Sequence, residues 1–156
     1  MKFIRDIFSD SYIHPFYYTA YPADNTRNYS LLAKHHFFIF FKKDLGFTVR
    51  KKLLKRISIE GLGGQVFKEK GNMDVELTID AVSLADNFSD AVLFSGDSDF
   101  LSLVIYLKKK GKRVWVVSSK DSLSYELRKV ANFYYDLLDI DGIWGKNLIR
   151  INSRKK

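Results

Sequence analysis

Phe94-Ser95-Gly96-Asp97-Ser98-Asp99-Phe100 lies between two apolar segments of different character. Before it, Ala91-Val92-Leu93-Phe94 is short and continuous, like a buried strand. After it, Phe100 to Leu107 reads as a helix that runs out in lysines. Two carboxylates one residue apart therefore fall on a tight strand-to-helix turn. Such a turn sits at the carboxyl end of a parallel strand, the edge where open α/β sheets bind their ligands.

Outward from that turn, the same alternation repeats. Lys108-Lys109-Lys110-Gly111 closes the helix, with lysines at the negative end of its dipole and a glycine suited to its cap. Arg113 to Ser118 is a strand, Ser122 to Ala131 a helix, and Phe133 to Ile140 a last short strand or turn. Upstream, Gln65 to Lys70 is a strand, and Gly71-Asn72 leads into a helix from Met73 to Phe88. That helix carries Val75, Ile79 and Val82 on one face and Leu77, Ala81, Leu84 and Phe88 on a second, which predicts heavier burial than usual. Strand and helix alternating from Gln65 onward predict a mostly parallel sheet with helices on both faces. Nearer the start, the pattern is a helix over Lys2 to Asp10 and an aromatic strand over His14 to Tyr21. A polar loop follows at residues 23–28, then a helix from Ser30 to Leu45 stopped by Gly46. Phe47 to Ile59 reads as one or two basic strands at a sheet edge. Gly61, Gly63 and Gly64 mark a loop without the spacing of a dinucleotide fingerprint.

A chain of 156 residues, 46% hydrophobic and 15% aromatic, suits one globular domain, here residues 1–144 followed by a basic tail at 145–156. Zero cysteines exclude disulfides and thiolate metal sites and fit a cytoplasmic protein. No apolar run is long enough for a bilayer, so no membrane is expected as a partner. The net charge of +8 favours polyanions, nucleic acid first, against a plain reading of lysine as surface solvation.

The acids that could act together are Asp74, Asp80, Asp97 and Asp99. Asp74 opens a helix just after one strand, and Asp97 and Asp99 follow the next. Parallel strands present such connections at one sheet edge. Carboxylates about 4 Å apart repel by about 4 kcal/mol at an effective dielectric of 20, so a cluster needs a cation or a shared proton. Oxygen-only ligation suits Mg²⁺ or Mn²⁺, ions that also take phosphate oxygens. Taken singly, Asp99 reads equally as a helix N-cap, and Asp74 as a first-turn carboxylate stabilised by the dipole. Asp80, six residues beyond Asp74, points to another helix face, where hydrogen bonding competes with metal contact.

Lys70-Gly71-Asn72-Met73-Asp74-Val75-Glu76-Leu77-Thr78-Ile79-Asp80, Leu93 to Phe100, Gly111-Lys112-Arg113-Val114 and Ser118 to Leu123 together resemble the NYN domain. This is the LabA-like branch of the PIN-like nuclease superfamily. The resemblance implies a three-layer α/β/α, Rossmann-like fold and a metal-dependent ribonuclease or RNA-processing role. Carried over by position, Asp74, Asp97 and Asp99 are catalytic metal ligands for Mg²⁺ or Mn²⁺, with Asp80 a further candidate. Ser95, Ser122 and Lys70 are candidate substrate contacts, although turn formation and capping explain the serines as well. The family pattern opens with a strand ending in an Asp-Gly-x-Asn-like motif. Here Met1 falls inside the first helix, so the chain reads as an N-terminally shortened version with the first strand and its Asp missing.

Basic residues gather at Lys42 to Ile59, where seven face the single acid Asp44 (7 − 1 = +6), and again at Lys108 to Arg113. RNA held there would bind with a steep salt dependence. Tyr17, Tyr18 and Tyr21 could stack bases, or simply fill the core. His14, His35 and His36 lack zinc spacing. Two readings follow: a ribonuclease acting on RNA, or a catalytically impaired RNA-binding or protein-interaction module, with a homodimer or a protein partner as its further expectation.

Overall fold

The structure, a computed structural model, describes residues 2–22, 31–61 and 64–140. The loop expected at residues 23–28, Gly63 and the tail at 145–156 lie outside them. The described residues fall into two compact units, one drawn from Met1–Ser9 and Val82–Lys156, the other from Asp10–Ala81.

The first unit is built on three parallel strands, β5 (Asp90–Leu93), β6 (Arg113–Ser118) and β7 (Phe133–Asp136), in the order β5-β6-β7. Strand β6 is central, and Val114, Val116 and Val117 are almost wholly buried. The N-terminal helix α1 (Lys2–Ile7) covers one face. Phe3 meets Tyr135 edge-on and Phe8 meets Trp115, while Trp115 stacks on Phe133 at 3.8 Å. Val114 and Val116 point the other way, by the alternation of a strand, and helix α4 (Leu101–Lys109) packs on β6. Leu103, Val104 and Leu107 supply its buried stripe. Helix α5 (Tyr125–Val130) packs beside α4 and seats Leu127, which is fully buried.

Helix α4 ends as its sequence requires. Gly111 has φ +76°, Lys112 N–H donates to Leu107 C=O, and Gly111 N–H donates to Lys108 C=O. This is the Schellman arrangement, which only a residue at ease with positive φ closes without strain.

The second unit holds the parallel pair β1 (Phe16–Tyr21) and β2 (Thr48–Leu53), joined by helix α2 (Leu31–Lys43). Tyr17 and Tyr21 turn toward α2, where Tyr17 meets Phe41 at 4.6 Å and Tyr21 meets Phe38 at 5.8 Å. Packing thus occupies these two tyrosines. The alternate residues face helix α3 (Asp74–Ser83), which Tyr18, Arg50 and Lys52 all contact. A separate antiparallel ribbon, β3 (Lys55–Gly61) and β4 (Gly64–Lys70), completes the unit.

The architecture is mixed α/β with mostly parallel strands, as expected. The strand at Gln65 to Lys70, expected to begin the parallel alternation, instead pairs antiparallel with β3 in a ribbon of its own, and further details differ from the sequence reading. The helix expected to reach Phe88 stops at Ser83, and a 3-10 turn at Ala85–Asn87 follows. Nor is α3 heavily buried: Val75 is 66% exposed, Ile79 58% and Val82 37%, and none of its residues is buried. Its half-buried side is mixed instead, Leu77 and Ala81 beside Glu76 and Asp80, the two acids turned to basic partners in β2. An amphipathic pattern identifies two faces without saying which one the sheet takes. Among the described residues, no helix is long and apolar enough to cross a membrane.

Leu127 has no exposed surface and lies in the helix that packs beside α4, so Leu127→Ala leaves a cavity. It should lower the unfolding free energy by about 2–5 kcal/mol, read from chemical denaturation followed by circular dichroism.

Candidate functional site

Each acid is best understood from the backbone that carries it. After β5 the chain runs Phe94-Ser95-Gly96 and turns. The Ser95 hydroxyl accepts a hydrogen bond from Asp97 N–H at 3.2 Å, and the Asp97 carboxylate accepts one from Asp99 N–H at 3.0 Å. Two short side chains thereby organise the turn in sequence. The 3-10 turn Ser98–Phe100 leads directly into α4, and Asp97, not Asp99, is its N-cap. Phe100 is buried and anchors the far end.

Gly96 sets the path. A Cβ there would lie 2.2 Å from the carbonyl oxygen of Ser122 and 2.5 Å from the hydroxyl of Ser118. The Gly96 carbonyl also accepts from Ser124 N–H at 2.9 Å. The loop after β6 is thus locked against the loop after β5. Ser122 belongs to that second loop, and its hydroxyl accepts from Ser119 at 2.8 Å. Ser95 and Ser122 are both engaged in shaping the turns.

Asp97 and Asp99 each offer a carboxylate oxygen within 4.8 Å of the other, and both residues are exposed. Among the described residues no lysine, arginine or histidine pairs with either. The capping bond occupies one oxygen of Asp97 and leaves its second oxygen, with both of Asp99, for a ligand. Hard oxygen donors with uncompensated charge suit Mg²⁺ or Mn²⁺ well, and a soft metal poorly.

In the second unit, Asp74 stands in the first turn of α3. Its backbone N–H is held by the Asn72 side chain at 2.7 Å, so Asn72 takes over the capping work. Among the described residues, no hydrogen bond or ion pair involves the Asp74 carboxylate, which is half-buried. Gly71, just before, packs where a Cβ would meet Leu54 at 2.4 Å and Ala20 at 2.6 Å, fixing the entry into α3. Lys70 closes β4 opposite Lys55 and is exposed.

Asp80 is differently placed. Arg50 grips both its oxygens, Nε at 2.9 Å from one and the terminal nitrogen at 3.3 Å from the other, and the Tyr18 hydroxyl donates at 3.0 Å. Its charge is balanced by protein. A basic residue in β2 and a tyrosine in β1 were visible in the sequence, but their convergence on Asp80 depends on the strand register, which pairs Tyr18 with Arg50. Glu76, one turn earlier, is held by Lys52 at 2.6 Å, and the Lys52 hydrogen bond lowers its pKa. In the first unit, burial of Asp90 opposes its charge, but hydrogen bonds from Arg113 and from the Trp115 indole outweigh it and lower its pKa.

A parallel α/β fold that presents paired, uncompensated carboxylates at the carboxyl end of a strand offers the oxygen donors a divalent cation takes. Residues 2–139 match the NYN domain, and the chain belongs to that family. NYN domains are nuclease-like, associated with nucleic acid and typically dependent on a divalent metal. The chain is 38% identical over 96 residues to the Low amplitude and bright protein LabA of Synechococcus elongatus, covering 62% of this chain and 51% of that protein. It is 31% identical over 80 residues to the uncharacterized protein MJ0482 of Methanocaldococcus jannaschii, covering 48% of this chain and 33% of that one. The chain therefore spans about half the length of LabA, and less of the other. A crystal structure of a protein of unknown function, VPA0982 of Vibrio parahaemolyticus, superposes with a TM-score of 0.55 at 27% identity, covering 78% of this chain and 68% of that one.

Burial, then the hydrogen bond to Asp80, pushes the Tyr18 pKa well above the ordinary tyrosine range. Its folded form therefore keeps a proton that the unfolded chain gives up near pH 10. This contribution is complete below that pH and fades as pH rises toward the elevated folded value. Thermal unfolding between pH 9 and pH 11 (round settings about the ordinary tyrosine value) should lose midpoint faster in the parent than in Tyr18→Phe. Identical alkaline slopes would contradict the Tyr18–Asp80 link.

Proposed function

We propose that this chain is a divalent-metal-dependent ribonuclease domain that hydrolyses RNA phosphodiesters, working in the cytoplasm. The observation that carries the proposal is the pair Asp97 and Asp99, with carboxylate oxygens within 4.8 Å and no cationic partner among the described residues. Asp74 is the third ligand in this reading. Its carboxylate is uncommitted among the described residues and its position matches the family motif. Asp80 is left outside the ligand set because Arg50 and Tyr18 already satisfy it.

Mg²⁺ or Mn²⁺, when bound, would polarise the scissile phosphate and acidify water for attack on phosphorus. The residues have separable tasks. Asp97 stiffens its own turn through Asp99 N–H while presenting its second oxygen. Asp99 presents both oxygens from the turn that opens α4. Ser95 holds the Asp97 backbone, and Ser122, through its carbonyl against Gly96, limits where the turn can move. Lys70 offers a cation to substrate phosphate.

Cleavage of end-labelled RNA in Mn²⁺ should fall about 100-fold or more in Asp97→Asn, the scale expected when a preorganised charge is removed. Circular dichroism should stay unchanged, because the amide oxygen still caps the turn. Equal cleavage by both proteins would contradict the ribonuclease reading. Absence of cleavage by either at high enzyme would leave the second reading, a non-cleaving RNA-binding or protein-interaction module.

A further inference from the structure

Apart from Lys70 at its end, the β3–β4 ribbon supplies no residue to the acidic site, and its exposure is unusual. Lys55, Arg56, Ile57 and Ser58 of β3, and Phe67, Lys68 and Lys70 of β4, are all exposed. Strand register pairs Lys55 with Lys70, Arg56 with Glu69, Ile57 with Lys68 and Ser58 with Phe67. Side chains alternate along a strand, so Lys55, Ile57, Lys68 and Lys70 share one face. Arg56, Ser58, Phe67 and Glu69 share the other. Both faces at this end of the ribbon are open to solvent.

Two-stranded ribbons are marginal in water without a packed face. This one instead shows apolar groups outward, with Ile57 43% exposed and Phe67 51% exposed. The charge is distributed unequally. The Ile57 face has three lysines and no acid among the described residues, and none of the three forms an ion pair there. On the opposite face the Arg56 guanidinium lies over the Phe67 ring at 4.2 Å, beside Glu69. Cations flanking exposed apolar surface match a single-stranded nucleic acid, which presents phosphates along one side and unstacked bases along the other. A protein partner would have to bury three lysines on a face that holds no compensating acid.

We propose that the β3–β4 ribbon is an arm that grips single-stranded RNA, with Lys55, Lys68 and Lys70 on phosphates and Ile57 against a base. On the other face, Phe67 stacks a base and Arg56 backs it. This deepens the ribonuclease reading by naming the surface that holds substrate, and it rests on RNA being the substrate.

Binding of a fluorescein-labelled oligouridine of about 12 nucleotides, a length within single-strand site sizes, can be followed by anisotropy. EDTA in the buffer keeps cleavage out of the measurement. The test compares the full chain with Lys55→Ala/Lys68→Ala/Lys70→Ala and with a charge-matched control at exposed residues outside every basic group, Arg5→Ala/Arg128→Ala/Lys129→Ala. The ribbon variant should bind about tenfold or more weakly, and its log K against log salt slope should flatten by about 2, the counterion release of three phosphate contacts. The control should bind within about threefold of the parent, a change attributable to long-range charge alone. Ile57→Ser/Phe67→Ser should weaken binding without altering the salt slope. Thermal midpoints within a few degrees of the parent would show that the variants fold.

Equal weakening by ribbon and control variants, or no weakening by the ribbon variant, would overturn the arm and leave the ribonuclease reading intact. Loss of cleavage in Asp97→Asn with unchanged oligouridine binding keeps the two questions apart. Failure of the parent to bind oligouridine would also overturn the arm, whatever the cleavage result. A dimer in light scattering that becomes monomeric in the ribbon variant, with RNA binding unchanged, would reassign the ribbon to self-association and overturn the proposal.

Discussion

The approach of Gly96 to the Ser122 carbonyl is the constraint on which the acidic turn depends. Any side chain at residue 96 would occupy space already filled by backbone, at 2.2 Å from oxygen and 2.7 Å from carbon. Backbone cannot swing aside as a flexible side chain can. The loops after β5 and β6 must therefore settle together, and Ser124 N–H fastens them through the Gly96 carbonyl. From this contact only Asp97 precedes the 3-10 turn Ser98–Phe100, which carries Asp99 and ends on buried Phe100. The carboxylates project from a turn braced at both ends, so their separation is a property of the fold and not of loose side chains.

Electrostatics then sorts the acids. Asp80, Glu76 and Asp90 each have a basic partner within hydrogen-bonding distance, and the partner's strand is already adjacent in the same unit. Such groups stabilise local geometry, modestly where Arg50 and Arg113 are half or more exposed, since water screens the pairing. The Asp97 carboxylate accepts one backbone N–H, that of Asp99 accepts none, and neither has a counter-charge among the described residues, despite a chain carrying 26 lysines and arginines. In a protein so rich in cations, these two neighbouring unpaired acids are the feature on which the proposed metal site rests.

Much of this was legible in the sequence because it is local. The β5 strand, the turn, α4 and its glycine stop all follow from residues in contact along the chain, and each appears within two residues of its expected place. The helices α2 and α5 and the strands β6 and β7 were legible for the same reason. What the sequence left open depends on register and packing. Asp80 looked like a possible ligand because its Arg50 and Tyr18 partners are 30 and 62 residues away, brought together only by parallel pairing of β1 with β2. The exposed valine and isoleucine face of α3 looked like core because apolar spacing was the visible signal, while the ion pairs that hold Glu76 and Asp80 to β2 were not. The capping roles also shifted: Asp97 caps the turn attributed to Asp99, and Asn72 holds the backbone of Asp74.

Asp97 and Asp99, with Asp74 as the proposed third ligand, are expected to hold a divalent cation. Calorimetric titration of the full chain with Mn²⁺, beside Asp97→Asn and Asp74→Asn, addresses it without reference to substrate. A saturable heat in the parent, weakened about tenfold or more in each variant, is the expected result, the scale of loss seen when groups supporting a metal site are removed. No saturable binding by the parent, or equal affinity in parent and Asp97→Asn, would contradict it.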